Sequence, residues 1–162
     1  MDDILVTVDG YNQFNDELNR LKELSRLSAA TGSEAYNDAI GDGWHDNFAF
    51  EDSIREGRVI ASKIEKMNNT KAYLKLVAYE NLPDNYVNIG DTVEVMFIYS
   101  DDDSEIEKIT LTGKYIPNND LEIKEISLNS PLGRSIYKKK INDEVIYMVN
   151  DKEIKVKILH KI

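Results

Sequence analysis

Two aspartates, Asp42 and Asp46, flank Gly43-Trp44-His45 within a stretch, Thr31 to Glu56, that holds seven acidic residues (Glu34, Asp38, Asp42, Asp46, Glu51, Asp52 and Glu56) and one base, Arg55. Carboxylates at an exposed tip suit hard divalent cations such as magnesium, which keep much of their water and take only one or two carboxylates. Two such ligands do not hold an ion alone. Carried at the end of a long thin support, they read as a probe that completes a metal site in another macromolecule. The plainer reading is electrostatic: the same carboxylates cap the helix that follows and complement the positive end of its dipole. His45 adds a ligand or a general acid, but one imidazole beside two aspartates falls short of a closed zinc site. Trp44, Phe48 and Phe50 serve either as packing at the end of the support, the commoner use, or as a stacking platform.

Little else in the chain could do chemistry. There is no cysteine, so disulfides, thiolate nucleophiles and cysteine-ligated metals are excluded, and chemistry must rest on oxygen and imidazole. No Ser-His-Asp arrangement, phosphate loop or dinucleotide fingerprint is present. Lys138-Lys139-Lys140 has the look of a phosphate-binding patch, yet it follows a short helix whose end favours cations anyway. The net charge of -10 argues against broad binding to a phosphate backbone. The charge is uneven: residues 124–162 hold nine Lys or Arg against five Asp or Glu, a balance of +4 that leaves -14 on residues 1–123. The two ends can face different partners, or both can be solvated surfaces kept charged for solubility. The chain opens Met1-Asp2-Asp3 without a basic leader region and has no apolar run long enough to cross a bilayer, so a cytoplasmic protein without membrane contact is expected.

The support for the tip can be read from periodicity. From Tyr11 to Ser28, the residues Tyr11, Phe14, Leu18, Leu21, Ser25 and Ser28 recur at steps of three and four, with Leu24 and Leu27 widening the stripe. That is one face of an amphipathic helix, with Asp9 as its expected N-cap. Phe50, Ile54, Gly57, Ala61, Ile64 and Met67 form a second stripe, in which the small Gly57 and Ala61 let a partner backbone come close. The two stripes predict an antiparallel coiled-coil hairpin over residues 1–70, with its acidic tip at about 32–47, where Gly32, Gly41 and Gly43 break the helices. Asn68-Asn69-Thr70 reads as the end of the second helix and a short linker.

Beyond residue 70 the period turns to alternation. Ala72–Tyr79, Thr92–Tyr99, Ile106–Leu111, Glu144–Val149 and Glu153–Leu159 are expected strands, with a turn at Asp101–Ser104. Ser130-Pro131 predicts an N-cap and a proline at the first helical position, opening a short helix through about Tyr137. The expected class is α+β: a helical hairpin followed by an antiparallel β domain, residues 71–162, with one short helix.

The segments Val87-Asn88-Ile89-Gly90-Asp91-Thr92-Val93-Glu94-Val95, Ile126 to Ile136 (with Asn129-Ser130-Pro131-Leu132-Gly133-Arg134 at its centre) and Lys139-Lys140-Ile141-Asn142-Asp143-Glu144-Val145 closely resemble the C-terminal domain of Gre-type (GreA/GreB) transcription elongation and transcript cleavage factors. Leu18 to Leu24 is similar to the family's first coiled-coil helix. Gly41-Asp42 with Asp46-Asn47 resembles its tip motif, in which Gly-Asp precedes Glu-Asn by two residues. Here three residues separate the acids, and Asp46 stands for the glutamate with a shorter side chain, so the reach of the tip is altered.

The resemblance implies a C-terminal domain similar in fold to FKBP-type prolyl isomerases that docks on bacterial RNA polymerase through Ser130, Pro131, Leu132, Gly133 and Arg134. It implies that the hairpin enters the secondary channel of the polymerase. There Asp42 and Asp46 would help hold a magnesium ion shared with the polymerase, so that it cleaves the 3' end of backtracked nascent RNA. On this reading the chain is a monomeric accessory factor with no cofactor or enzymatic activity of its own, and the DNA-binding association of the family comes with it. Arg26, Arg55 and Arg58 are the candidate RNA contacts near the tip. A channel-binding modulator that does not cleave is the close alternative. A peptide-binding or prolyl isomerase module is the alternative from another class, and the absence of any Trp after Trp44 weighs against it.

Overall fold

The computed structural model describes residues 2–39, 48–100 and 103–162. The chain divides into two compact units, Phe14–Tyr73 and a second made of Met1–Gln13 with Leu74–Ile162.

The helical unit takes most of α1 (Val8–Ala39) and all of α2 (Phe48–Lys71). Thr7, not Asp9, is the cap of α1. Its side-chain oxygen accepts from the Gly10 N–H at 3.2 Å, and its carbonyl accepts the first helical bond from Tyr11 at 2.9 Å, which satisfies donors that a helix start leaves free. Asp9 falls inside the first turn, where its charge still complements the helix dipole. At the far end α2 runs on through Asn68-Asn69-Thr70 to Lys71, where a linker was expected. The Thr70 hydroxyl donates to the Lys66 carbonyl at 2.8 Å, so this residue supports the last turn instead of breaking it.

The less exposed positions of α1 are Tyr11, Phe14, Leu18, Leu21, Ser25 and Ser28, joined by a few flanking residues, while Leu24 and Leu27 are exposed. On α2 the less exposed positions are Ser53, Gly57, Ile60, Ile64, Met67 and Thr70. That face lies one residue round from the expected Ile54 and Ala61, both of which are exposed. The shift has a local cause. The Ser28 hydroxyl donates to the Ser53 carbonyl at 3.4 Å and stands 3.8 Å from where a Cβ on Gly57 would lie, so small residues let the two helices approach. Glu17 is held below its usual carboxylate range chiefly by its bond to Arg20, with a contribution from Lys63. The pairs 17/63 and 28/53 therefore run in opposite directions along the two helices.

The second unit is built on a five-stranded sheet in the order β5-β4-β3-β7-β6, with β3 Thr92–Ser100, β4 Asp103–Thr112, β5 Lys124–Ser127, β6 Glu144–Val149 and β7 Lys152–Lys161. Val93, Val95 and Phe97 alternate inward along β3 and meet Ile109, Leu111, Val145, Val156 and Ile158 from its neighbours, with Leu128, Leu132 and Ile136 closing the core. Asn150 and Asp151 both take positive φ, 49° and 62°. They form the two-residue turn that sets the β6–β7 register, a turn in which asparagine and aspartate are favoured. Of the expected turn at Asp101–Ser104, Asp101 and Asp102 lie outside the described residues.

The sheet is not wholly antiparallel. β5 pairs parallel to β4, because residues 113–123 carry the chain back before it re-enters at the edge. A two-stranded parallel pair, β1 (Ile4–Val6) with β2 (Leu74–Leu76), completes the unit. Only three residues of the expected strand Ala72–Tyr79 are extended and paired.

Segment 113–123 is fixed by Glu125, which accepts from Lys114 Nζ at 2.6 Å and from the Asn118 N–H at 2.8 Å. Burial pushes the Glu125 carboxyl up, but the Lys114 and Asn118 bonds outweigh it and hold the group below its usual range. Its folded-state pKa thus lies below the unfolded one, so its contribution to stability is full above the ordinary carboxylate range and is lost as pH falls through the folded pKa. Glu125→Gln is expected to destabilise the protein by about 1–2 kcal/mol at pH 7. The difference from wild type should shrink below pH ~4.5, as measured by urea unfolding across pH.

Candidate functional site

Asp42 and Asp46, together with Trp44 and His45, lie outside the described residues. Among the described residues no group of three or more His, Asp or Glu side chains is arranged to hold a metal ion. The candidate RNA contacts near the tip are partly engaged within the chain: Arg26 pairs with Glu23 at 2.7 Å and Arg55 with Asp52 at 2.9 Å, each along one helix. Glu23 is lowered and Arg26 raised by their mutual hydrogen bond. Such exposed pairs break readily in favour of a better anion.

The segment Ser130–Arg134 is fully described and has a built geometry. α3 (Pro131–Ile136) starts on Ser130, whose extended backbone (φ -68°, ψ 155°) marks a cap. The Ser130 Oγ accepts from the Gly133 N–H at 3.0 Å and donates to the Ser127 carbonyl at 2.8 Å. Pro131 occupies the first turn, where its missing N–H costs nothing. This confirms the short helix expected from Ser130-Pro131.

The five candidate docking residues then divide. Pro131 and Arg134 are exposed, Ser130 is half-buried, and Leu132 and Gly133 are buried. Gly133 has no room for a side chain, since a Cβ there would overlap the Ser127 carbonyl oxygen and lie 2.9 Å from its carbon. Leu132 and Gly133 thus hold the turn, and Pro131 and Arg134 present it.

Asn129, part of the resembling motif but not among the candidate docking residues, ties this turn to the start of the chain. Its Oδ1 accepts from the Leu5 N–H at 2.8 Å and its Nδ2 donates to the Leu5 carbonyl at 2.7 Å. One side chain so imitates a strand partner across 124 residues of sequence, a separation no local pattern reveals.

The lysine run is less available than its sequence suggests. Lys138 bonds Glu80 at 2.6 Å and sits 5.1 Å over the Tyr137 ring. Lys140 sits 5.5 Å over the Tyr86 ring, a contact that favours the cation where it is. Two of the three cations brace the segment from Tyr79 to Ile89 instead of forming an open anion site.

Residues 82–160 match the family model described as transcription elongation factor, GreA/GreB, C-term, so this stretch is a domain of that kind. Transcription elongation factor GreA of Acetivibrio thermocellus is 27% identical over 97% of this chain and 94% of its own length. The GreA of Chlorobaculum parvum is 27% identical over 98% of this chain and 96% of its own. The GreA factor homolog 1 of Thermus thermophilus, a solved structure, aligns over 99% of both chains at 16% identity with a TM-score of 0.43. The resemblance read from the sequence is borne out: residues 82–160 match the GreA/GreB C-terminal family model, and the chain is similar to GreA transcription elongation factors over nearly its whole length. Among the described residues no helix is long and apolar enough to cross a membrane.

Proposed function

We propose that this chain is a cytoplasmic accessory factor that binds bacterial RNA polymerase, places its coiled-coil hairpin in the secondary channel and promotes cleavage of backtracked RNA. The observation that carries the reading is the match over residues 82–160, within which the exposed Pro131 and Arg134 stand on a turn locked by Ser130 and Gly133. In this reading the C-terminal unit, with its FKBP-like fold, selects the partner, and the helical unit supplies reach. Asp42 and Asp46 are the tip groups, contributing oxygen ligands to a magnesium ion that the polymerase also holds. Such an ion polarises a phosphoryl oxygen and lowers the pKa of bound water.

Asp46 and the three-residue spacing to Asp42 favour a second reading, a modulator that docks without stimulating cleavage, because a displacement near 1 Å costs on the order of a hundredfold in rate. A stalled elongation complex separates the two. With cleavage as the function, the purified protein shortens the nascent RNA, and Asp42→Asn or Asp46→Asn lowers that rate by about a hundredfold while leaving polymerase binding intact. Binding without any acceleration of RNA shortening would establish the modulator instead.

A further inference from the structure

The two edges of the sheet are protected very differently. β5, at one edge, is four residues long, and both of its charged side chains are tied down, Lys124 to Glu107 at 3.3 Å and Glu125 to Lys114 at 2.6 Å. Short length and charge blunt an edge against further pairing. β6, at the opposite edge, has the sequence Glu144-Val145-Ile146-Tyr147-Met148-Val149. It has no proline, no lysine and no register shift against β7. Ile146 is 55% and Met148 54% exposed, and among the described residues β7 is the only strand paired with β6.

The strand is also complementary to itself. In a continuous sheet, cross-strand partners share a face, so two antiparallel copies must pair positions of equal parity. Centring the two-fold axis on Tyr147 satisfies this. Tyr147 then meets its own copy on the core side, with Val145 opposite Val149. On the outer side Ile146 lies opposite Met148. Each pair joins apolar to apolar, and the only charge within the strand, Glu144, falls opposite the neutral Asn150. Glu144 is already paired in its own sheet with Lys155 at 2.8 Å, so within the strand no like charges meet. An isologous contact requires this kind of self-complementarity.

We propose that β6 pairs antiparallel with β6 of a second copy of this chain, joining two five-stranded sheets into one across a two-fold axis at Tyr147. The proposal rests on the sheet alone, independent of the polymerase reading, and differs from the monomer expected from the family resemblance. The contact is small, so the association is a reversible one.

Sedimentation velocity of the full chain from about 1 to 500 µM, a range set by what an interface of this size supports, should show a monomer–dimer equilibrium. Ile146→Lys and Met148→Lys, both at exposed positions, should each weaken association by about tenfold or more, since each change is felt twice across the axis. Ile106→Lys, also at an exposed position but on the inner strand β4, should leave it unchanged. The chain has no cysteine, so Tyr147→Cys tests the register directly. It should form an intermolecular disulfide under mild oxidation much faster than Tyr99→Cys on the central strand β3. A monomer at every concentration, with Tyr147→Cys no faster than Tyr99→Cys, overturns the proposal in favour of a different strand as the occupant. A dimer insensitive to both lysine variants places the contact elsewhere and overturns it equally.

Discussion

Gly10→Ala is expected to destabilise the protein by about 2 kcal/mol or more, although alanine is the better helix former by about 1 kcal/mol. Gly10 lies in the first turn of α1, where helix propensity alone predicts a gain. The backbone of Gly113 decides otherwise. A Cβ on Gly10 would overlap the Gly113 carbonyl oxygen and stand 3.0 Å from Lys114 Cα, and these are main-chain atoms that cannot rotate away. The Gly113 carbonyl is itself held, accepting from the Thr7 N–H at 3.1 Å. Just beyond, Gln13 exchanges two bonds with Ile116, donating to its carbonyl at 3.0 Å and accepting from its N–H at 3.2 Å. The variant must strain the Thr7 cap, the Gln13–Ile116 pair or both. Urea unfolding should show the loss. Hydrogen exchange should localise it, with the Thr7 and Ile116 amides exchanging faster while the β3–β7 ladder stays protected. An Ala variant as stable as wild type would mean that residues 113–114 yield without cost.

How much of this was legible follows from the length and locality of each signal. The face of α1 could be read because six of its positions keep step over 18 residues, and all six are the shielded ones. On α2, Gly57, Ile64 and Met67 of the expected face are shielded, while Ser53 and Ile60 take the places of Ile54 and Ala61. Ile54, Val59, Ile60 and Ala61 place apolar side chains on several sides of that helix, and at its tip end the partner is Ser28, so the polar Ser53 is shielded in place of Ile54. Apolarity locates a face only where the opposing face is apolar too. The strands β3, β4, β6 and β7 alternate over six residues or more and were found. β1 and β5, of three and four residues, owe their extended form to partners about 70 and 15 residues away in sequence and give no period to read.

The site divides along the same line. Ser130-Pro131 is a local signal with a local cause, and the helix it opens is where it should be. Asn129 acts across 124 residues, and the bracing of Lys138 by Glu80 across 58. Neither leaves a trace in the neighbouring sequence. The tip motif lies outside the described residues, and its chemistry rests on the spacing of Asp42 and Asp46 alone.

Gly133 and Arg134, neighbours in one turn, should separate stability from binding. Gly133→Ala forces a Cβ into the Ser127 carbonyl, which also accepts from the Ser130 N–H at 3.0 Å and from the Ser130 hydroxyl at 2.8 Å. Relieving the overlap shifts the acceptor on which the cap of α3 depends, so the cost combines overpacking with loss of a cap, about 3 kcal/mol. Arg134 is exposed, and Arg134→Ala should change stability by no more than about 0.5 kcal/mol. If the turn docks on polymerase, that same variant should weaken binding by about tenfold or more, because an arginine at the centre of an interface is among the side chains most costly to truncate. Gly133→Ala should weaken binding only to the extent that it unfolds the turn, and lowering the temperature should restore part of it. Affinity for purified polymerase, set beside urea unfolding of each variant, reads both axes. Wild-type affinity in Arg134→Ala would remove this turn from the docking surface and leave Ser130 and Gly133 with a purely architectural role.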